Sequence, residues 1–422
     1  MIQLISLLRN TSYRRLWFSQ VVSLLGDGIT RLLVLYLASK LTSNPMIFSF
    51  ILIAGYLPGM LGGAFVGPIV DRYDKRMIMV CSDLYRLVIV LLMITAQTSL
   101  SWLVVLIFLQ GVGNLFFEPA KTALIPSLIK KESIPDAVAF SQSTFMVMAI
   151  IAPSIGGILL LSEEYSLIFL LDAATFMLSG LILLFLKSRR GESAEEEMVT
   201  KDTYRESLKQ GVNIIRNNPF LIGLLFLITI GIFVMGVINA NIYAITLNIY
   251  RLNEVQFGTL ESLEGIFGVA GSLAVPFIMK KCRNNTLLML TFGFLGIMAL
   301  LTIPVYEAHR ILPFLPLYIW MCMTSFCSPF LNVPLNSMLM QRVPDKVLGR
   351  ISGIMGTMIN FSILSGLLLG GWAAAAIGPI WTVTLAGFLL LVISITFPFT
   401  KFYGELVAPT AQVESTEGSP AL

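Results

Sequence analysis

Twelve runs of predominantly apolar residues, each long enough to cross a bilayer as a helix, constrain this chain more than any other feature. A hydrocarbon core of about 30 Å takes about 20 residues at a rise of 1.5 Å each. On that rule the runs fall at 16–41, 46–70, 77–98, 101–123, 138–161, 165–187, 219–249, 256–279, 286–306, 311–340, 349–376 and 379–402. Only Ile377-Gly378-Pro379 separates the last two. Backbone groups in lipid must be satisfied within the segment, so these runs are expected to be helices. Charged residues make up 12% of the 422 and hydrophobic ones 56%, where a soluble chain carries about 25% charge. A soluble enzyme is excluded, and an all-α integral membrane protein remains.

Basic residues alternate between the connections. Arg9, Arg14 and Arg15 precede the first run, and Arg72, Lys75 and Arg76 follow the second. Lys121, Lys130 and Lys131 follow the fourth, Lys187, Arg189 and Arg190 the sixth, Lys280, Lys281 and Arg283 the eighth, and Arg342 and Lys346 the tenth. The intervening connections hold only Lys40, Arg251 and Arg310. Basic loops stay cytoplasmic, so a multi-pass protein of a bacterial-type cell membrane is expected, with both termini inside. MIQLISLLRNTSYRR reads as no cleaved leader, which leaves targeting to the first run.

Six runs precede the polar segment 188–218 and six follow it. The expected organisation is therefore a bundle at 1–187, a linker at 188–218, a bundle at 219–402 and a disordered tail at 403–422. Tyr204, Leu208, Val212 and Ile215 recur at helical spacing, which predicts an amphipathic helix on the cytoplasmic surface. A solvated linker is the alternative. The halves echo each other: PAKTALIPSLIKKESIPD follows the fourth run and PLNSMLMQRVPD the tenth, each opening on proline and closing on Pro-Asp. Such repeats are typical of secondary transporters. The four cysteines, Cys81, Cys282, Cys322 and Cys327, show no CxxC spacing and read as small apolar residues.

Against this apolar background a few charges stand out. The stretch SLLGDGITRLLVLY puts Asp27 and Arg31 inside the first run, where each ionised group costs about 2.5–3.5 kcal/mol to insert. Asp27 lies about 15 Å past Trp17, near mid-depth, and Arg31 one turn further on the same face. Glu261 and Glu264 share a face of the eighth run, and Asp83 and Arg86 a face of the third near its cytoplasmic end, as does Glu118 at the exit of the fourth. A packing role competes with a functional one for each. Midplane ionisable groups mark substrate or ion pathways by default, and a carboxylate buried without a partner favours its protonated form. Glu264, with no basic residue within a turn, is therefore a candidate proton carrier. Two roles are open to Asp27: carrying protons, or holding Arg31 in place. The one histidine, His309, reads as a loop residue, and no metal site is expected.

The turn GPIVDRYDKRM supplies Gly67, Asp71, Arg72, Lys75 and Arg76 in the pattern G-x-x-x-D-R-x-x-[KR]-R. This resembles the signature loop of the major facilitator superfamily. SLLGD, SDLYR, FFEPAKTALIP and QRVPDKVLGR extend the resemblance over roughly residues 10–400, towards the branch of macrolide efflux proteins and siderophore exporters. It implies two pseudo-symmetric six-helix bundles, a first and an eighth helix bordering a central cavity, and hence a proton-coupling site at Asp27, Arg31, Glu261 and Glu264. It also implies that Asp71 engages the start of the eleventh span near Arg350, consistent with a carboxylate at a helix N-terminus. Asp83, Arg86 and Glu118 are expected to join this loop in a cytoplasmic gate. AIIAPSIGG in the fifth run is similar to the exporter motif: Pro153, Gly156 and Gly157 match, whereas Ala152 stands where glycine is usual. The fourth run has Gln110 where an arginine is common, so coupling has to be sought elsewhere.

The expected function is proton-coupled antiport of an amphipathic small molecule by alternating access, with siderophore export or lipid flipping on the same fold as the alternative. The proton gradient would drive it, with no cofactor. The expected partners are that substrate and the bilayer, not nucleic acid, and the expected state is a monomer. No Walker A, HExxH or GxSxG motif suggests an enzyme.

Overall fold

The computed structural model describes residues 7–186, 212–309, 311–343 and 345–407, with the backbone alone at 64, 131 and 345–350. Among the described residues the chain is all-α. The helices are α1 (Thr11–Leu41), α2 (Met46–Arg72), α3 (Lys75–Met93), α4 (Leu100–Leu128), α5 (Ile134–Leu159), α6 (Tyr165–Leu184), α7 (Pro219–Tyr243), α8 (Glu254–Met279), α9 (Asn284–Leu300), α10 (Thr302–Ala308), α11 (Leu315–Cys327), α12 (Pro329–Arg342), α13 (Asp345–Ile377), α14 (Pro379–Thr396) and α15 (Lys401–Val407). Among the described residues, eleven helices are long and apolar enough to cross a membrane.

The tenth expected span, 311–340, is instead divided into α11 and α12 at Ser328-Pro329. Proline has no N–H, so the helical ladder loses a rung there. Ser328 nonetheless keeps helical dihedrals (φ −55°, ψ −43°), and the chain runs on into α12 without a loop.

Side-chain caps set the starts of two helices that matter below. Asn10 Oδ1 accepts from the backbone N–H of Ser12 and Tyr13, while its Nδ2 donates to the Leu128 carbonyl at 2.7 Å, tying the start of α1 to the end of α4. Asp74, inside the basic turn, accepts from the N–H groups of Arg76 and Met77 and starts α3. These contacts satisfy donors that a helix start leaves unpaired.

Two compact units result. The first takes in the described residues up to 186 together with Tyr243–Ile266; the second takes in those from 212 to Ile242 and from Phe267 to 407. The expected bundle 219–402 is corrected accordingly, because the end of α7 and the first half of α8 pack with the first unit. The changeover falls where α7 gives way to a π-helical turn at Ala244–Ile249, a rare geometry concentrated at functional sites. In the first unit α6 packs on α1 and α3, and α4 on α2 and α3. Leu16, Met79, Phe117, Leu124 and Leu183 lie in its core. Leu224, Phe292, Leu335, Met355 and Leu390 do so in the second.

The expected tail also begins later than 403. Helix α15 runs to Val407, and Tyr403 Oη accepts a 2.9 Å hydrogen bond from Asn285 Nδ2. Of the expected amphipathic helix, Tyr204 and Leu208 lie outside the described residues. Ile215 packs on the second unit's core, and Val212 is exposed.

Candidate functional site

A cavity of about 610 Å³ opens within the first unit, lined by α1, α2, α4 and α5 with Arg86 of α3. Helix α1 supplies Gln20, Ser23, Asp27, Thr30 and Arg31 to it. Those positions recur every three to four residues, which keeps them on one side of a helix.

Arg86 is the hub. Its side chain is almost wholly buried, and it forms an ion pair with Asp83 on its own helix and a second, at 3.4 Å, with Asp27 of α1. Nη1 also donates to Asn114 Oδ1 at 2.7 Å. The guanidinium lies 4.5 Å from the Phe117 ring centroid and 4.4 Å from that of Phe176, so aromatic faces cover what the carboxylates leave. The outer partners are fixed in turn. Ser179 Oγ donates to Asp83 Oδ2 at 2.6 Å, and Gln110 Nε2 donates to Asp27 Oδ1 at 3.1 Å. Gln110, which stands where an arginine is common in the resembled family, thus serves as a neutral donor to Asp27.

This geometry corrects two expectations. Asp83 and Arg86 do not join the basic turn; they join Asp27, and with it the cavity. Arg31 is not held by Asp27 either. Its Nη2 donates to Tyr243 Oη at 3.0 Å, across to the end of α7. A guanidinium spans several ångströms beyond its backbone, so one helical turn of separation lets the two side chains diverge to different partners. Glu261 and Glu264 lie within electrostatic reach of Arg31, but neither lines the cavity. Arg31 is therefore tied to the end of the seventh helix through Tyr243, and the carboxylates of the first and eighth helices do not face each other across the cavity. Glu118 does line the cavity, where it pairs with Lys121 one turn on at 2.7 Å.

The basic turn stands apart from this cluster. Asp71 and Arg72 are exposed, and Arg76 Nη1 donates to the Leu186 carbonyl at 2.9 Å. Lys75 opens α3. No described atom lies within 4 Å of where a Cβ on Gly67 would sit, and the Arg350 side chain lies outside the described residues.

The exporter-like motif has a clear packing role. A Cβ at Gly156 would lie 3.5 Å from Ile29 Cα of α1, and one at Gly157 would lie 3.1 Å from Gly258 Cα of α8. Pro153 contributes its carbonyl, 2.5 Å from a Cβ built at Gly258. Small residues here let backbones approach, as in other membrane helix pairs. Ala152, the departure from the motif, is accommodated from the other side: a Cβ at Gly28 would sit 2.5 Å from its methyl. The glycines beside Asp27 therefore serve close approach, and α1 continues unbroken through them.

Sequence reading missed one buried acid. Asp172 of α6 accepts from Thr30 Oγ1 of α1 at 2.6 Å. It sits behind Gly26, where a Cβ would overlap its carboxyl and the Thr175 hydroxyl. Its signal was available, since it is an isolated ionisable residue within an apolar span.

A helical membrane protein with duplicated halves, whose ionisable groups are gathered at a cavity between helices, has the organisation of a transporter and not of an enzyme. The sequence model of the Major Facilitator Superfamily matches residues 16–314, and this chain belongs to that family. It is similar to macrolide efflux protein A of Streptococcus pyogenes, at 23% identity over 391 residues, covering 91% of this chain and 94% of that protein. Macrolide efflux protein A of Enterococcus faecalis is 23% identical over 332 residues, 77% of this chain and 99% of its own. Among solved structures, a bacterial homologue of the iron transporter ferroportin, in an inward-facing state, superposes with a TM-score of 0.73 at 12% identity, covering 93% of this chain and 99% of its own. That likeness shows the shared fold.

Proposed function

We propose that this transporter is a proton-coupled exporter of amphipathic small molecules, working by alternating access from a cell membrane with both termini cytoplasmic. One observation carries the coupling: Asp27, a carboxylate open to the cavity, shares its guanidinium partner with the fully buried Asp83. Arg86 holds Asp83 on one side and reaches Asp27 only at 3.4 Å on the other. Of the two, Asp27 is the carboxylate that cavity water can reach, and so the one that can gain and lose a proton during a cycle. Protonation there releases Arg86 towards Asp83 and changes the charge of the cavity wall by one. A ligand shifts a conformational equilibrium only through differential interaction with its two states, and that change in charge supplies the difference.

Export and an amphipathic cargo are supported by full-length similarity to macrolide efflux proteins and by the cavity's mixed wall. Leu24, Leu35, Ile51 and Phe145 offer apolar surface beside the amides of Gln20, Gln110 and Gln142. The alternative cargoes, siderophores and lipids, carry anionic groups that would have to meet Arg31 or Lys121. Lys121 is already paired with Glu118, and Arg31 is bonded to Tyr243.

The reading is tested by erythromycin accumulation in cells expressing the chain. Lower accumulation than in control cells, restored by a protonophore, is expected. Equal accumulation in both, with or without the protonophore, would overturn it.

A further inference from the structure

The sixth helix holds an acid that the mechanism above does not use. Asp172 is 1% exposed and makes no ion pair among the described residues. Two hydroxyls touch its carboxyl. Thr30 Oγ1 donates to Oδ2 at 2.6 Å, and Thr175 Oγ1 lies 3.1 Å from Oδ1. A threonine hydroxyl has one hydrogen to give. Thr175 Oγ1 also donates to the Asp172 backbone carbonyl at 2.7 Å, so its one hydrogen is shared between that carbonyl and Oδ1. A carboxylate here would hold one whole and one shared hydroxyl donor, with almost no exposure and no ion-pair partner among the described residues, which is costly. A carboxylic acid avoids that cost: one oxygen accepts from Thr30, and the other can donate to Thr175.

The charged groups facing this acid fit that assignment. Helices α1 and α3 pack on α6 and bring Asp27 from the first, and Asp83 and Arg86 from the second. Arg86 is committed to Asp83, Asp27 and Asn114. The cluster thus holds three acids around one guanidinium, and Asp172 is the acid that Arg86 does not touch. Gly26 presents bare backbone beside it, so no side chain separates it from α1. Thr30, which touches Asp172, also lines the cavity.

We propose that Asp172 is a second proton-carrying side chain of the transport cycle, held as the neutral acid behind the cavity wall and connected to the cavity by the Thr30 hydroxyl. On uptake, a proton from cavity water bonds to Thr30 Oγ1 as the hydroxyl's own hydrogen passes to the near oxygen of Asp172. A half-turn of the carboxyl then brings that hydrogen to Thr175 and a free oxygen back to Thr30. Release reverses these steps. One O–H bond forms for each that breaks, and the charge of the cluster changes by one. The role in transport rests on the proton-coupled reading above; the protonation of Asp172 does not.

Asp172→Asn preserves the geometry, because its NH₂ can donate to Thr175 and its oxygen accept from Thr30. Infrared spectra of the purified full-length protein in lipid, titrated with pH, give the direct test. Wild type is expected to show a protonated-carboxyl band at neutral pH that is lost in Asp172→Asn, kept in Asp27→Asn, and slowed in its heavy-water shift by Thr30→Val. Identical wild-type and Asp172→Asn spectra across the titration would overturn the proposal. Erythromycin transport separates the two failures. A wild type indifferent to a pH gradient overturns proton coupling itself, while gradient-driven transport equal in wild type and Asp172→Asn removes Asp172 alone from the cycle.

Discussion

Replacing Arg86 by methionine tests the hub of the site, because methionine keeps much of the side chain's length while removing its charge. The change strands Asp83, whose side chain is 0% exposed, and leaves Asp27, 25% exposed, with Gln110 as its remaining partner. Removing one member of a buried ion pair costs about 3–5 kcal/mol, because the other charge stays behind without compensation. The lost contacts to the Phe117 and Phe176 rings would add about 0.5–2 kcal/mol each if fully desolvated, though methionine recovers part of that by packing against the same rings. A net loss of about 4 kcal/mol is expected, which lowers the folding equilibrium by about a factor of 10³. Denaturant unfolding in mixed micelles, followed by circular dichroism, measures it. A second substitution, Asp83→Asn, removes the stranded charge, so the Arg86→Met/Asp83→Asn protein should recover at least about half the loss. A single variant within about 1 kcal/mol of wild type, or a double variant no better than the single, would refute the view that Arg86 neutralises a buried carboxylate.

Three further outcomes follow from the geometry. Gly258→Ala puts a methyl against the Pro153 carbonyl and the Gly157 backbone, which cannot yield as a side chain would; a loss of about 1–3 kcal/mol in the same unfolding assay is expected. Tyr243→Phe removes the acceptor of the Arg31 hydrogen bond and should cost about 1.5–3 kcal/mol, the range for bonds to charged groups, whereas no change would show that Arg31 finds an equal partner. Asp71→Asn, at an exposed position, should leave stability within about 0.5 kcal/mol while lowering the erythromycin transport rate; an unchanged rate would remove Asp71 from any gate.

The regular parts of this structure were legible because hydropathy and local spacing report them directly. The Asp83–Arg86 pair shares a helix, and its i, i+3 spacing places the two groups together. The links that assemble the site are long-range, and nothing local encodes them. Asp27 meets Arg86 59 positions away, and Arg31 meets Tyr243 212 positions away. Asp27 and Arg31 were visible as charges within an apolar run, but which residues they pair with was not. Asp172 was overlooked because LLDAATFMLSG offers no neighbouring charge or motif, although an acid without one in an apolar span is itself the signal. The Ser328-Pro329 break was hidden by unbroken hydropathy across it, since the apolar run reports burial in lipid and not the continuity of backbone hydrogen bonds.

The central claim is that a proton exchanged at Asp27 drives substrate movement. The measurement that bears on it most directly is erythromycin uptake into inside-out proteoliposomes with an imposed pH gradient, acid inside, for wild type and Asp27→Asn. Wild type should accumulate the compound against its concentration gradient and lose that accumulation when the pH gradient is collapsed. Asp27→Asn should still exchange labelled for unlabelled compound at equal concentrations but fail to accumulate it. Accumulation by Asp27→Asn equal to wild type would contradict the account.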